Sequence, residues 1–176
     1  MTGAMFLLAL LLVQIALGGI VAGLKAGLAY NTWPLIDGAF IPAAERLFFL
    51  DPVWSNFLDN HLTAQFTHRM VAYLLVACAL LHAVDCIRHD GVRVRASAVV
   101  LTAVVMAQAT LGIATLLWQV PMGLALAHQS VAILALVVAT VHAQTLVGAR
   151  GRAFEAERPD RAADIDAPAG VVARQR

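Results

Sequence analysis

Apolar positions along the chain gather into four long blocks. Met5–Leu24, Ala96–Trp118 and Met122–Val147 carry no charged side chain, and Leu62–Ile87 is apolar apart from a few polar groups. Each block reaches the roughly 20 residues that a helix needs to cross a bilayer. A chain exposed to lipid must satisfy its own backbone, which argues for helices. The two-residue alternation of a membrane barrel is absent. The pattern predicts an all-α integral membrane protein, a four-helix bundle over residues 1–147 with a long outer loop at 25–61. The first block lacks a basic leader region and is long for a signal peptide, so it reads as a retained span.

Composition agrees. The 176 residues are 61% hydrophobic and 13% charged, against about 45–50% and about 25% in soluble domains. The net charge is +1 and no basic cluster interleaves with aromatics, so no nucleic-acid partner is expected. Cys78 and Cys86, eight residues apart on one helix, stand about 12 Å apart by helical rise. That is too far for a disulfide, and both read as buried, inert thiols.

Charge sets the expected orientation. Arg88, Arg93 and Arg95 lie between the second and third blocks, and Arg150 and Arg152 follow the fourth. Basic residues in short loops favour the cytoplasm. Both termini are therefore expected inside, with the Lys25–His61 loop and the Gln119–Pro121 turn outside. The loop contains Pro34, Pro42 and Pro52, which break helices, and Trp33, Phe48, Phe49 and Trp54, which suit an interface. Around Ala43–Leu50 it predicts either a short amphipathic element on the outer face or a segment packed over the bundle. Residues 148–176 are mixed in charge and weakly apolar, and read as a disordered cytoplasmic tail.

The blocks repeat. HRMVAYLLVACALLH, from His68, aligns with HQSVAILALVVATVH, from His128: Val71 matches Val131, Ala72 matches Ala132, and His82 matches His142. The first and third blocks share a second signature, Gln14 to Gly18 against Gln108 to Gly112. Four helices are then two copies of one hairpin, related by a pseudo-twofold axis along the membrane normal. His68 and His128 fall at equal depth. On their helical faces stand Ala72, Ala79, Ala132 and Ala139, small enough to leave room for something flat.

Two imidazoles at matched depth suggest a shared metal, and bundle cores are where such sites are built. Two nitrogens with no nearby carboxylate or thiolate would leave zinc under-coordinated. Haem brings four equatorial nitrogens, so two axial histidines complete its iron. A hydrogen-bonded structural role or a transport role is the alternative for this pair. Arg69 either meets a haem propionate or snorkels to headgroups; Lys25 reads as snorkelling. His82 and His142, four turns deeper, are either a second haem pair or interfacial histidines. Gln14 and Gln108 are candidate polar glue across the hairpins, and Gly19, Gly23 and Gly27 form a small-residue ladder suited to close helix contact; either serves this bundle or a second subunit.

GGIVAGLKAGLAYNTWPLIDG, the following IP, NFLDNHLTAQFTHR and LGIATLLWQVPMGLALAHQ together resemble the haem A synthase family of the CtaA/Cox15 type, over about Val13 to Val147. The run AGLAYNTWPLIDG is the specific part. Members of that family have eight spans in two four-helix halves and oxidise a methyl of haem O to the formyl of haem A. One half handles the substrate haem and the other holds haem b, each with one histidine from its second helix and one from its fourth. The resemblance implies that His68 and His128 are axial ligands of haem b, and that this chain is similar to the carboxy-terminal half; Arg69 stays a candidate cofactor contact from its place next to His68. It implies a multi-pass protein of the bacterial cell inner membrane, acting in haem A biosynthesis for cytochrome oxidase assembly. Its partners would be a separate amino-terminal half or a second copy, with haem O synthase and cytochrome oxidase assembly factors as further candidates. The substrate half carries a glutamate three residues before its first histidine; Gln65 stands there in this chain, and an amide cannot exchange protons as a carboxylate does. A fragment, a split subunit or a half-size member that dimerises would each fit. A membrane electron-transfer cytochrome b and a non-catalytic assembly subunit are the two other readings.

Overall fold

The computed structural model describes Thr2–Ala156; Met1 and residues 157–176 lie outside the described residues. Four helices are long and apolar enough to cross a membrane: α1 (Thr2–Gly23), α5 (His61–His89), α6 (Val92–Leu117) and α7 (Met122–Ala156). Three single-turn helices lie in the loop between α1 and α5: α2 (Ala26–Ala29), α3 (Ala44–Leu47) and α4 (Asn56–Asp59). A helix stands at each of the four expected spans, and the first three lie within a few residues of their expected ends. The fourth differs most. Its helix continues past Val147 to Ala156, across the first part of the segment expected to be disordered. The added residues include Ala149, Arg150, Arg152 and Glu155, good helix formers with no proline among them. The remainder of that expected tail falls outside the described residues.

Each long helix packs on two others. α1 and α6 both contact α5 and α7, which places α5 and α7 on a diagonal of the bundle. One core layer takes two residues from every long helix: Leu7 and Leu11, Leu75 and Ala79, Leu101 and Val105, Ala135 and Ala139. A second layer, toward the α5–α6 turn, holds Ala4, Ala83, Cys86, Val94, Ala98, Ala143 and Leu146. Small residues recur where the diagonal helices α5 and α7 approach the axis. Large apolar side chains such as Phe6, Leu81, Val100 and Ile133 point outward, as lipid-facing positions should.

The loop between α1 and α5 packs over the end of the bundle. Leu47 of α3 is buried with Ile36 and Leu62, whereas Phe48, Phe49 and Trp54 stay exposed. Two asparagines hold this cover. Asn60 caps α5, its Oδ1 accepting from Leu62 N at 2.9 Å and Thr63 N at 3.5 Å. Its amide donates to Arg46 O at 3.0 Å and Leu47 O at 3.1 Å. Asn56, fully buried, donates to Leu50 O and Val53 O and accepts from Leu50 N. Asp37 and Gly38 both take positive φ, 52° and 84°, the conformation of a two-residue primed turn that an Asp-Gly pair favours. Asp37 also pairs with exposed Arg46 at 2.7 Å, a hydrogen bond that raises the pKa of the guanidinium.

Candidate haem site

The signature shared by α1 and α6 has a structural meaning. In the first hairpin, the Gln14 amide donates to the backbone carbonyl of His68 at 3.2 Å and stands 3.1 Å from its Nδ1. In the second, the Gln108 amide donates to the carbonyl of His128 at 2.9 Å. One helical turn on, Gly18 and Gly112 face the same two rings. A Cβ on Gly18 would stand 3.2 Å from His68 Cε1, and one on Gly112 would stand 2.9 Å from His128 Cε1. The glutamine ties each antiparallel pair together at the histidine's own carbonyl. The glycine supplies the notch in which the imidazole lies. The expected polar glue thus acts inside each hairpin. Gly19 and Gly23 face no neighbour within 4 Å, whereas a Cβ on Gly27 would stand 3.1 Å from Val120 and 3.7 Å from Leu116, so the expected glycine ladder meets another part of the chain at Gly27 and not at its other two rungs.

His68 and His128 stand on the diagonal helices α5 and α7. Around them, polar groups are left without partners. Among the described residues, the buried side-chain atoms with no hydrogen-bond partner are Gln14 Oε1, Gln65 Oε1, Arg69 Nε, Gln108 Oε1 and His128 Nδ1. Every one belongs to His128, to a glutamine bonded to one of the two histidines, or to a residue within one turn of His68 on α5. Native proteins pair more than about 90% of such groups, and an exception calls for a cause. The clefts at Met5, Leu8 and Thr140 and at Gly91 and Arg152 touch neither histidine.

Arg69 does not snorkel. It is buried, and its guanidinium donates to Tyr30 O at 3.1 Å and Leu35 O at 3.4 Å. The loop wraps over it. Trp33 donates to the Tyr73 hydroxyl at 2.9 Å, and Phe40 stacks on the Tyr73 ring with centroids 6.2 Å apart. No carboxylate lies within ion-pair distance of Arg69 among the described residues. A buried cation without a counter-charge is costly, and its free Nε–H suits an anionic group.

A family described as cytochrome oxidase assembly protein, COX15-CtaA, matches residues 1–140. The chain belongs to the COX15-CtaA family. It is similar to proteins named Heme A synthase: 55% identical over 140 residues to that of Rhodopseudomonas palustris strain BisA53, and 56% identical over 140 residues to that of Bradyrhizobium diazoefficiens. Both alignments cover 80% of this chain and 39% of the relative. The Methylobacterium strain 4-46 protein of the same name is 54% identical over 141 residues, again with 39% of its length covered. The chain therefore spans about two fifths of the length of these relatives. No solved structure matches it. Four membrane-length helices and bacterial relatives mark this COX15-CtaA member as a multi-pass inner-membrane protein.

The second histidine pair has a different geometry. His82 Nε2 and His142 Nε2 meet directly at 2.8 Å, with ring planes at 75°. Two axial ligands at about 2 Å from one metal, with a macrocycle between them, would stand about 4 Å apart. A second haem does not fit between these rings. Sequence reasoning placed the pair near the end of the bundle but missed its surroundings. Ser97 Oγ lies 2.8 Å from His142 Nδ1, and Cys86 Sγ lies 3.6 Å from His82 Nε2. The four-residue spacing of His82 and Cys86 was a visible signal for the latter; nothing in the sequence pointed to Ser97.

Proposed function

We propose that this chain is the haem b-binding half of a haem A synthase, with His68 and His128 as axial ligands. The observation that carries the reading is the gathering of unpartnered buried polar atoms around these two histidines. Once Nε2 ligates a metal, the imidazole carries its proton on Nδ1, and ligating histidines donate that proton to a neighbouring acceptor. His128 Nδ1 and Gln108 Oε1 both lack partners. Gln108 already holds the histidine's carbonyl, so its oxygen would accept the Nδ1 proton. Gly18 and Gly112 leave the rings the space to take a ligating position. Arg69 would add its free Nε–H to a propionate while its other nitrogens hold the loop.

When bound, haem iron supplies a one-electron carrier. The chain's part is to hold that iron, exclude water with the Tyr30–Asn60 cover, and orient the loop over it. Conversion of the haem O methyl to a formyl requires a proton-exchanging group at the substrate. Gln65, buried with its oxygen unpartnered, cannot be that group. The oxidation would therefore take place on a second four-helix half supplied by another chain, since a second copy would bring the same Gln65. The arginines at 88, 93, 95, 150 and 152 support placing both termini in the cytoplasm and the loop outside.

The test is haem content. The chain, expressed with ample haem and purified in detergent, should carry one low-spin haem b. His68→Ala and His128→Ala should each lose it, while His82→Ala should keep the count at one. A full Soret band in both His68→Ala and His128→Ala would overturn the assignment. Production of haem A from haem O should appear only when a complementing amino-terminal half is co-expressed.

A further inference from the structure

The inner end of the diagonal pair carries chemistry that haem binding does not use. His82, Cys86 and His142 each offer one ligand atom, and the three atoms lie within 4.8 Å of one another. All four long helices shape the cluster. α5 contributes His82 and Cys86 one turn apart, α7 contributes His142, and α6 contributes Ser97. α1 contributes Gly3, where an added Cβ would stand 2.8 Å from His82 Nδ1. His142 is fully buried and Cys86 is 1% exposed.

The hydrogen bonds accommodate one tautomer well. Ser97 Oγ donates its single proton to Val94 O at 2.9 Å. With that proton on Val94 O, the hydroxyl accepts from His142 Nδ1–H at 2.8 Å. In that tautomer the buried lone pair of His142 Nε2 accepts from His82 Nε2–H at 2.8 Å. That is the arrangement of a ligating histidine whose far nitrogen is held by an outer partner. Two of the three ligand-to-ligand distances lie near coordination values. Bonds of about 2.0–2.1 Å to nitrogen and about 2.3 Å to sulfur put N and S ligands roughly 3.6 Å apart in a tetrahedral set. Cys86 Sγ already stands 3.6 Å from His82 Nε2. The two nitrogens, at 2.8 Å, need to open by about 0.5 Å to reach a tetrahedral spacing.

From this arrangement we infer that His82, Cys86 and His142 form a binding site for one soft d10 metal ion, monovalent copper or zinc. A thiolate with two imidazoles selects these ions over hard cations. Monovalent copper is satisfied by three donors and leaves the thiolate site neutral, as a buried position favours. Zinc would add a water as a fourth ligand. Binding displaces one proton, from the Cys86 thiol, and shifts the His82 proton to Nδ1 beside Gly3. No electron is transferred.

The experiment uses the purified full chain with its haem. Copper(I) is presented in a chelator-buffered series under reductant, zinc is presented separately, and bound metal is counted by mass spectrometry. One equivalent per chain is expected, with nitrogen and sulfur neighbours in the metal-edge absorption spectrum. Cys86→Ala should weaken binding at least 100-fold, and Ser97→Ala about 10- to 100-fold, as loss of an outer partner does. Cys78→Ala should bind as the parent does, and the Soret band of each variant reports that the bundle is intact. Stoichiometric zinc with the same residue dependence supports the site equally. Binding of neither ion by haem-loaded protein, or binding indifferent to Cys86→Ala, overturns the proposal.

Discussion

Gly112→Ala places one methyl group against the imidazole of His128. The added Cβ would lie 2.9 Å from Cε1, 3.4 Å from Nε2 and 3.5 Å from Nδ1. Carbon atoms rest at about 3.5–4.0 Å, so the shortfall is about 0.6 Å or more. The methyl is rooted in the α6 backbone, so relief must come from His128 or from separation of α6 and α7. Turning the ring about 30° off its rotamer costs roughly 0.5–1.5 kcal/mol. Separating the helices is overpacking, at about 1–3 kcal/mol. If the ring is the haem ligand, about 1–3 kcal/mol corresponds to a loss of roughly 5- to 150-fold in haem affinity. Haem titration into the haem-free chain in detergent, followed at the Soret band, measures it. Gly18→Ala meets His68 at 3.2 Å and should lose less. Gly19→Ala meets nothing within 4 Å and should bind as the parent does. Equal affinity for the variants at 112 and 19 would refute the notch.

Three further outcomes are expected. Asn60→Ala removes the α5 cap and takes the side-chain donor from the carbonyl of Arg46, while Leu47 O keeps the Thr63 hydroxyl; a loss of about 2–4 kcal/mol is expected from the two effects, read as a lower melting temperature and faster proteolysis within residues 25–61. Gln14→Leu and Gln108→Leu each remove one interhelical hydrogen bond, worth roughly 0.6–1.7 kcal/mol in a membrane protein. Because the two sit in different hairpins, the double variant should lose the sum within about 0.5 kcal/mol in a detergent unfolding titration. Arg69→Lys keeps the charge but loses the planar fork that spans Tyr30 O and Leu35 O; it should loosen the loop to protease while retaining most haem, whereas Arg69→Leu should lose both, as read by the Soret band.

Much of this protein is legible from its letters because the bilayer is a demanding solvent. Four uncharged or nearly uncharged runs of membrane length have one stable solution, and four long helices are found. The duplication is also visible in one dimension, since His68 and His128, and Gln14 and Gln108, recur in step. What each glutamine holds is not visible: Gln14 and His68 are 54 positions apart, and the contact is to a backbone carbonyl. Nor is the closure of His82 on His142, 60 positions away, or the part of Ser97 beside them. In a soluble helix the apolar stripe says which side faces the core. Here the lipid side and the core side are both apolar, so the rotation of each helix about its axis is set by packing alone. Matched histidines could thus be read as a pair from the sequence. Only the tertiary structure decided that one pair lies in glycine notches among unsatisfied polar atoms while the other closes into direct contact beside a thiol.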